Sequence, residues 1–334
     1  MPFLFLGFAL GAVATNRLRT FINGVTSPAP PTVCAGDASA DKKWDSVETR
    51  NLHDKKNPLK KICRFANYCN NCWMNATLQA TLNLSVVQDK LPKQFQEFVT
   101  LLPEMPAFVC LYLSALENPG MCFTSAELCV ALAELCDSVP SLILYETNDS
   151  LDLLMPLLSW FDQCGIQTTI QVRDVSRCPQ CHFTTSSTSN LGSIVSLPKP
   201  LNGETLNSLI RRATGGRQGR CKACGHKTDR RQFWTHPDIL TFFVNRIASD
   251  GFVCHDRVYS PEQLEMDVDE NTKQTYRLSS VICHAGMDYH PGHFWSYLFV
   301  DDITIEANDT YLSFTNKGPP DKVYNNGTTY LYEI

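Results

Sequence analysis

Two short motifs constrain this chain more than any other feature: Cys178-Pro179-Gln180-Cys181 and Cys221-Lys222-Ala223-Cys224. Each CxxC turn can set two thiolates on one ion, and two such turns complete a tetrahedral set. The segments that carry them must therefore meet, and the long insert between them suits a β-ribbon. Four unrelated thiols are the alternative, and His182 and His226 stand beside the turns as substitute ligands. A closed four-cysteine site has no open position for a substrate, so the zinc expected there is structural.

A basic cluster accompanies the turns: Arg211, Arg212, Arg217, Arg220, Lys222, Lys227, Arg230 and Arg231. A zinc ribbon carrying such charge is one route to nucleic-acid binding. A solvated loop on a metal-stapled hairpin fits better, because stacking aromatics stand only at the margins, at Phe183 and Phe233-Trp234. Over the whole chain the formal net charge is −5, so no general basic field draws it to nucleic acid or anionic lipid.

There are 15 cysteines in 334 residues. An odd number, in a chain too large for a disulfide-stapled scaffold, points to a reducing compartment, cytoplasm or nucleus. Met1 to Ala14 is nearly all apolar, with Arg17 and Arg19 behind it. It is too short to span a bilayer as a helix. Signal peptide, membrane anchor and buried helix all remain open readings of it. Residues 26–43, rich in Pro, Ala, Gly, Ser and Asp, read as a linker, which sets 1–45 apart from the rest.

One cysteine occupies a chemically distinctive place. Asn67-Tyr68-Cys69-Asn70-Asn71 is polar and turn-forming, and a helical pattern opens at Cys72, with Met74, Leu78, Leu82 and Val86 every four residues. At a helix N-terminus the macrodipole and free N–H groups favour the thiolate, the nucleophile of cysteine hydrolases. A buried structural thiol fits the same pattern equally well.

From Leu91 to Gly165 the pattern is helical. Thr124-Ser125-Ala126-Glu127 reads as a capping box opening a helix to about Cys136. Asn148-Asp149-Ser150 caps another over Leu151 to Phe161, in which Pro156 predicts a kink or an early stop. At Ile166 the period changes. β-branched and aromatic runs follow at Ile166–Val175, Ile194–Leu197, Ile239–Ile247, Tyr276–Cys283, Phe294–Ile305 and Thr328–Ile334. Helices first and strands second, without βαβ alternation, predict an α+β fold with a cleft between a helical lobe and a sheet.

A second reactive candidate, His293, is flanked by Gly292 and opens an aromatic strand. A structural histidine is the commoner occupant of such a site. Asn308-Asp309 follows, and an amide or carboxylate there can hold the second imidazole nitrogen.

Cysteine, histidine and Asn/Asp in that order, with an inserted CxxC…CxxC, resemble the ubiquitin-specific protease family of deubiquitinating enzymes, over roughly Asn57 to Ile334. Asn67 through Gln79 is similar to the family's cysteine box, N-x-G-N-T-C-[YW]-M-N-A-x-L-Q. Thr147 through Leu154 resembles its Gln-Gln-Asp box. His284-Ala285-Gly286 and Gly292-His293-Phe294 are similar to its H-S-G and G-H-Y elements, and Leu240 to Ile247 to its buried strand ending in Arg. The resemblance implies a papain-like right hand within 46–334: a helical thumb (about 55–165), zinc-bearing fingers (about 166–245) and a palm sheet (about 246–334).

The implied chemistry is that of a thiol isopeptidase. Cys72 attacks the carbonyl of ubiquitin's C-terminal glycine, His293 moves the proton, and Asn308, with Asp309 beside it, orients His293. Asn67 matches the oxyanion-hole asparagine. Asp149, beside Asn148, matches the acidic residue that holds the ubiquitin tail, and Gly292 and Phe294 flank the substrate path. The chain departs from the pattern at Cys69 and Asn71, which replace Gly and Thr, so an altered oxyanion loop is expected. These departures also admit a protease for another ubiquitin-like modifier, or a weakly active ubiquitin-binding pseudo-enzyme.

Overall fold

The computed structural model describes residues 58–334, except 202, 216–218, 249–250, 287–291, 301 and 316–317. The apolar start, the linker and Arg217 lie outside the described residues. Six helices come first: α1 (Cys72–Leu82), α2 (Ser85–Lys90), α3 (Phe95–Leu101), α4 (Pro106–Glu117), α5 (Ser125–Ser138) and α6 (Ser150–Gln163). Strands β1 (Arg64–Phe65) and β2 (Cys122–Phe123) pair in parallel, tying the approach to α1 to the approach to α5. Among the described residues no helix is long and apolar enough to cross a membrane.

The caps are those the sequence predicts. Thr124 and Glu127 form the reciprocal capping box of α5. Asp149 Oδ1 accepts the Leu151 N–H at 3.0 Å to open α6. That helix continues through Pro156 to Gln163. Leu153, Leu154, Leu157, Leu158 and Phe161 are fully buried along it, and five such side chains at about 2 kcal/mol each outweigh the roughly 3 kcal/mol of an interior proline.

α1 is the central element, and every residue from Cys72 to Thr81 is buried. It ends at Leu82, so Val86 belongs to α2 and the four-residue apolar spacing does not run on one helix. On one side Tyr112 of α4 donates to Thr81 Oγ1 at 3.1 Å. Behind α1 lies the sheet, where Ser296 and Ser280 hydroxyls donate to the Ala76 and Ala80 carbonyls at 2.7 and 3.0 Å. Small hydroxyl residues let the helix backbone approach closely, and their hydrogen bonds fix its height and rotation.

The strands form two main sheets. β3 (Ile170–Arg177), β4 (Thr184–Gly192) and β7 (Asp229–Trp234) make an antiparallel ribbon in the order β4-β3-β7. Between them lie β5 (Val195–Leu197), β6 (Glu204–Thr205) and α7 (Leu206–Thr214). The larger sheet uses β8 (Ile239–Val244), β10 (Gln263–Asp267), β11 (Lys273–Ala285), β12 (His293–Val300), β13 (Ile303–Asn308), β14 (Tyr311–Thr315) and β15 (Gly327–Glu333). Its order is β14-β13-β12-β11-β15-β8-β5, with β10 on β11; β9 (Val258–Tyr259) pairs with β6, and α8 (Asp321–Asn326) precedes β15. This is the expected α+β arrangement. The run Phe294–Ile305 divides into the β12–β13 hairpin. β4 has no counterpart among the predicted strands, because its Ser/Thr-rich sequence lacks apolar alternation and lies almost wholly in solvent.

A buried arginine fastens the sheet to the loops behind it. Arg246 is 3% exposed. Its Nε donates to Gly327 O at 2.8 Å, Nη1 to Cys254 O and Asp256 O at 3.1 and 2.8 Å, and Nη2 to Tyr324 O at 2.9 Å. Arg246→Ala removes the donors from four carbonyls at once, three of them part-buried, and is expected to cost about 3 kcal/mol or more. Urea unfolding checks this; an unchanged midpoint would show that the carbonyls find other donors.

Candidate active site

The loop before α1 is built by asparagines. Asn71, 2% exposed, accepts the Cys69 N–H on Oδ1 at 3.3 Å and donates from Nδ2 to Ala66 O at 3.0 Å and Asn75 Oδ1 at 2.9 Å. Its own N–H donates to Asn67 Oδ1 at 3.1 Å. The left-handed residue of the turn is Asn70, with φ 56°, a conformation that asparagine tolerates better than most residues. Cys69 is not among the described residues with positive φ. A cysteine at position 69 is therefore compatible with the loop, whose left-handed residue is Asn70.

Cys72 opens α1 directly behind that loop and is 4% exposed. The His293 imidazole interacts with Cys72, and its Nε2 meets Asn308 Oδ1 at 2.7 Å, which leaves Nδ1 for the sulfur. His293 begins β12 and Asn308 ends β13, so one hairpin presents both. The interaction with Cys72 is the main reason the imidazole is pushed up to about 9 from its usual 6.5; burial opposes the shift, and the Asn308 bond adds to it. Asn308 Oδ1 accepts from the ring, which stabilises the imidazolium.

Asp309 joins the two halves of the site. Its Oδ2 accepts from Asn67 Nδ2 at 3.0 Å and its Oδ1 from Asn75 Nδ2 at 2.7 Å. Its carbonyl accepts the Phe65 N–H at 3.2 Å and Gln79 Nε2 at 3.0 Å. Asn75 and Gln79 are residues to which the sequence reading assigned no role. Their signal is nevertheless there: Asn71, Asn75 and Gln79 recur every four positions, a polar stripe on a helix with no wet face.

The residues expected along the substrate path separate. Asp149 caps α6, as described above. Asn148 is 6% exposed; its amide donates to Ile143 O and Glu146 O at 2.9 and 3.1 Å and accepts the Ile143 N–H at 2.8 Å. Both amide hydrogens serve the loop, so Asn148 shapes it and has none left for a ligand. Phe294 is corrected too: it is 1% exposed and packs against His284 in the core, ring centroids 4.6 Å apart and tilted by 48°. A buried ring on the inward face of β12 cannot line a path. Gly292 is half-buried, and a Cβ there would collide with the His284 imidazole.

β3 ends at Arg177 opposite Asp229, where β7 begins, so both CxxC turns emerge at one end of the ribbon. They close alike: His182 N–H donates to Cys178 O at 3.0 Å and Gly225 N–H to Cys221 O at 2.8 Å, with φ of 59° and 76° at His182 and Gly225. The sulfurs of Cys178, Cys181, Cys221 and Cys224 all lie within 4.8 Å of one another. A tetrahedral ion with metal–sulfur bonds of about 2.3 Å sets its sulfurs roughly 3.8 Å apart, so the four can hold a metal ion. The Cys181 N–H, foremost among several hydrogen bonds, holds the Cys178 thiol down at about 6. His182 and His226 are not part of the cluster. Of the basic residues nearby, Arg212 pairs with Glu204, and Arg230 with Asp174 at 2.6 Å.

No curated protein matches this chain. Solved structures do: the SAGA Ubp8/Sgf11/Sus1/Sgf73 DUB module bound to ubiquitin aldehyde is similar at a TM-score of 0.62 and 14% identity, over 87% of this chain and 73% of that one. The module bound to monoubiquitin gives 0.60 and 14%, over the same 87% and 73%. A yeast SAGA DUB module with mutant Sgf73 gives 0.58 and 14%, over 87% and 72%. At that identity the likeness shows the fold, a papain-like right hand. The family model for ubiquitin carboxyl-terminal hydrolase matches residues 63–332, and the chain therefore belongs to that family, as a cysteine-type deubiquitinase of the ubiquitin-specific protease group.

Proposed function

We propose that this chain hydrolyses the isopeptide or peptide bond after the C-terminal glycine of ubiquitin, with Cys72 as nucleophile, His293 as general base and acid, and Asn308 orienting His293. The observation that carries this reading is the single imidazole that meets Asn308 Oδ1 at 2.7 Å and interacts with Cys72. His293 takes the thiol proton, the thiolate attacks the glycine carbonyl, and the imidazolium returns the proton to the leaving amine. Water, deprotonated by His293, then releases the acyl group from Cys72.

The negative oxygen of the tetrahedral intermediate needs donors. Asn67 Nδ2 commits one hydrogen to Asp309, and its second is proposed to join the Cys72 N–H in the oxyanion hole. Asp309, anchored by Asn75, holds Asn67 for that role and is a positioning residue. Asp149 is proposed to receive the basic tail of ubiquitin through a charge-assisted contact. Zinc is proposed at the four cysteines, where it would join the two CxxC turns. Similar structures hold ubiquitin or its aldehyde, which supports ubiquitin as the modifier. Purified protein offered ubiquitin and ubiquitin-like proteins with C-terminal electrophiles is expected to capture ubiquitin on Cys72. Capture of a different modifier alone, or of none, would overturn this reading.

A pH dependence follows from the imidazole. kcat/KM is expected to fall as pH rises through about 9, because His293 then lacks the proton that the leaving amine requires. Asn308 favours the charged ring, so Asn308→Ala should move this alkaline limb to lower pH. A limb that stays in place in the variant removes the orienting role from Asn308.

A further inference from the structure

We propose that Cys69 and Cys129 are an oxidation site: a hydroperoxide converts this thiol pair to a disulfide that clamps the loop before the nucleophile to α5. Their sulfurs lie 2.9 Å apart, so reaching the 2.03–2.05 Å of a disulfide requires the atoms to close by less than about 1 Å. Cys69 lies in the asparagine-built loop and Cys129 in the first half of α5, and both are partly exposed. The other hydrogen-bonded sulfur pairs among the described residues, at 3.4 and 3.5 Å, fall within the four-cysteine cluster. That cluster has the ligands for an ion. Among the described residues no third cysteine, histidine or carboxylate joins Cys69 and Cys129, so two-thiol chemistry fits this pair and metal binding does not. The loop's backbone does not call for a sulfur here either, since Asn70 takes the left-handed turn.

At rest the pair is reduced. Burial, with help from Cys129, pushes the Cys69 thiol up to about 12. Hydrogen peroxide supplies the oxidising power. One sulfur attacks the O–O bond, forming S–O and releasing a first water. The second sulfur attacks the first, S–S forms, S–O breaks, and the oxygen leaves as a second water. Two thiols and one peroxide thus give one disulfide and two waters, and a thiol reductant reverses the change.

The consequence rests on the function proposed above. Cys69 N–H bonds Asn71 Oδ1, and Asn71 N–H bonds Asn67 Oδ1. Drawing Cys69 toward α5 therefore pulls on the residue proposed for the oxyanion hole. Misplacement of such a group by about 1 Å can cost roughly 100-fold, so the clamped form should turn over about 10-fold or more slowly with Cys72 itself unmodified.

The site is tested without activity. Full-length Cys72→Ala protein, which has no nucleophile to oxidise, is exposed briefly to hydrogen peroxide, blocked with a maleimide and mapped by non-reducing mass spectrometry. A peptide pair joining Cys69 to Cys129 is expected, lost on dithiothreitol treatment and absent in Cys129→Ser; Cys69→Gly serves if that variant does not fold. Maleimide on both thiols, or links from either to other cysteines, overturns the site. In protein retaining Cys72, the same exposure should cause a dithiothreitol-reversible loss of rate larger than in Cys129→Ser. Equal losses, with the link mapped, overturn the control of turnover. Absence of hydrolysis in untreated protein refutes the proposed function and leaves the mapping result standing.

Discussion

Cys72→Ala is expected to lower kcat by about 10⁴-fold or more, because no neighbouring group can replace a nucleophile that becomes covalently bonded to the substrate. Binding of ubiquitin should survive, since Cys72 is a small side chain at the end of a helix held from all sides. His293→Ala should approach the same loss, as these two groups act as one unit. Asn308→Ala should be milder, because Asn308 orients the ring and does not itself react. Steady-state kinetics on a ubiquitin amide, with a binding isotherm alongside, checks the order. Undiminished electrophile labelling in Cys72→Ala, or an adduct on Cys69, would place the nucleophile elsewhere.

Loss of the proposed zinc is the second large effect. Structural zinc contributes on the order of 10 kcal/mol in small zinc peptides. In this larger chain a loss of even several kcal/mol should lower Tm by about 10 °C or more. Protein purified without chelator should contain about one zinc per chain, and Cys178→Ser or Cys221→Ser should lose both the metal and the Tm increment. The site fails as a zinc site if elemental analysis finds none. Its structural role fails if stripping the metal leaves Tm where it was.

Local chemistry was legible in the residue order. Capping residues announce helix starts, so Thr124 and Asp149 marked α5 and α6 correctly. Hydrophobic period distinguishes helix from strand, and the change at Ile166 marked the passage from helical lobe to sheets. The CxxC turns predicted their own meeting, because a thiolate pair on a tight turn has few other stable partners. The placing of Cys72 at a helix start, and of His293 at the opening of a strand, was equally visible. Apart from the meeting of the two turns, each of these readings depends on residues within a few positions of one another.

What the tertiary structure decided depends on partners far apart in sequence. Asp309 receives Asn67 from 242 positions away and Asn75 from 234, so the stripe of Asn71, Asn75 and Gln79 has a purpose only once β13 lies against α1. Arg246 reads as an ordinary strand-end cation until the fold closes four carbonyls around it. Phe294 and Asn148 have the residue types and places of ligand contacts, yet burial turns one into the core and commits the other to its own loop. The same holds for Cys69 and Cys129: the order of residues shows two cysteines on separate segments, and only packing brings their sulfurs together. Sequence determines which groups need partners; in a buried site the three-dimensional packing determines which partner each one finds, because a desolvated polar group is stable only where another meets it.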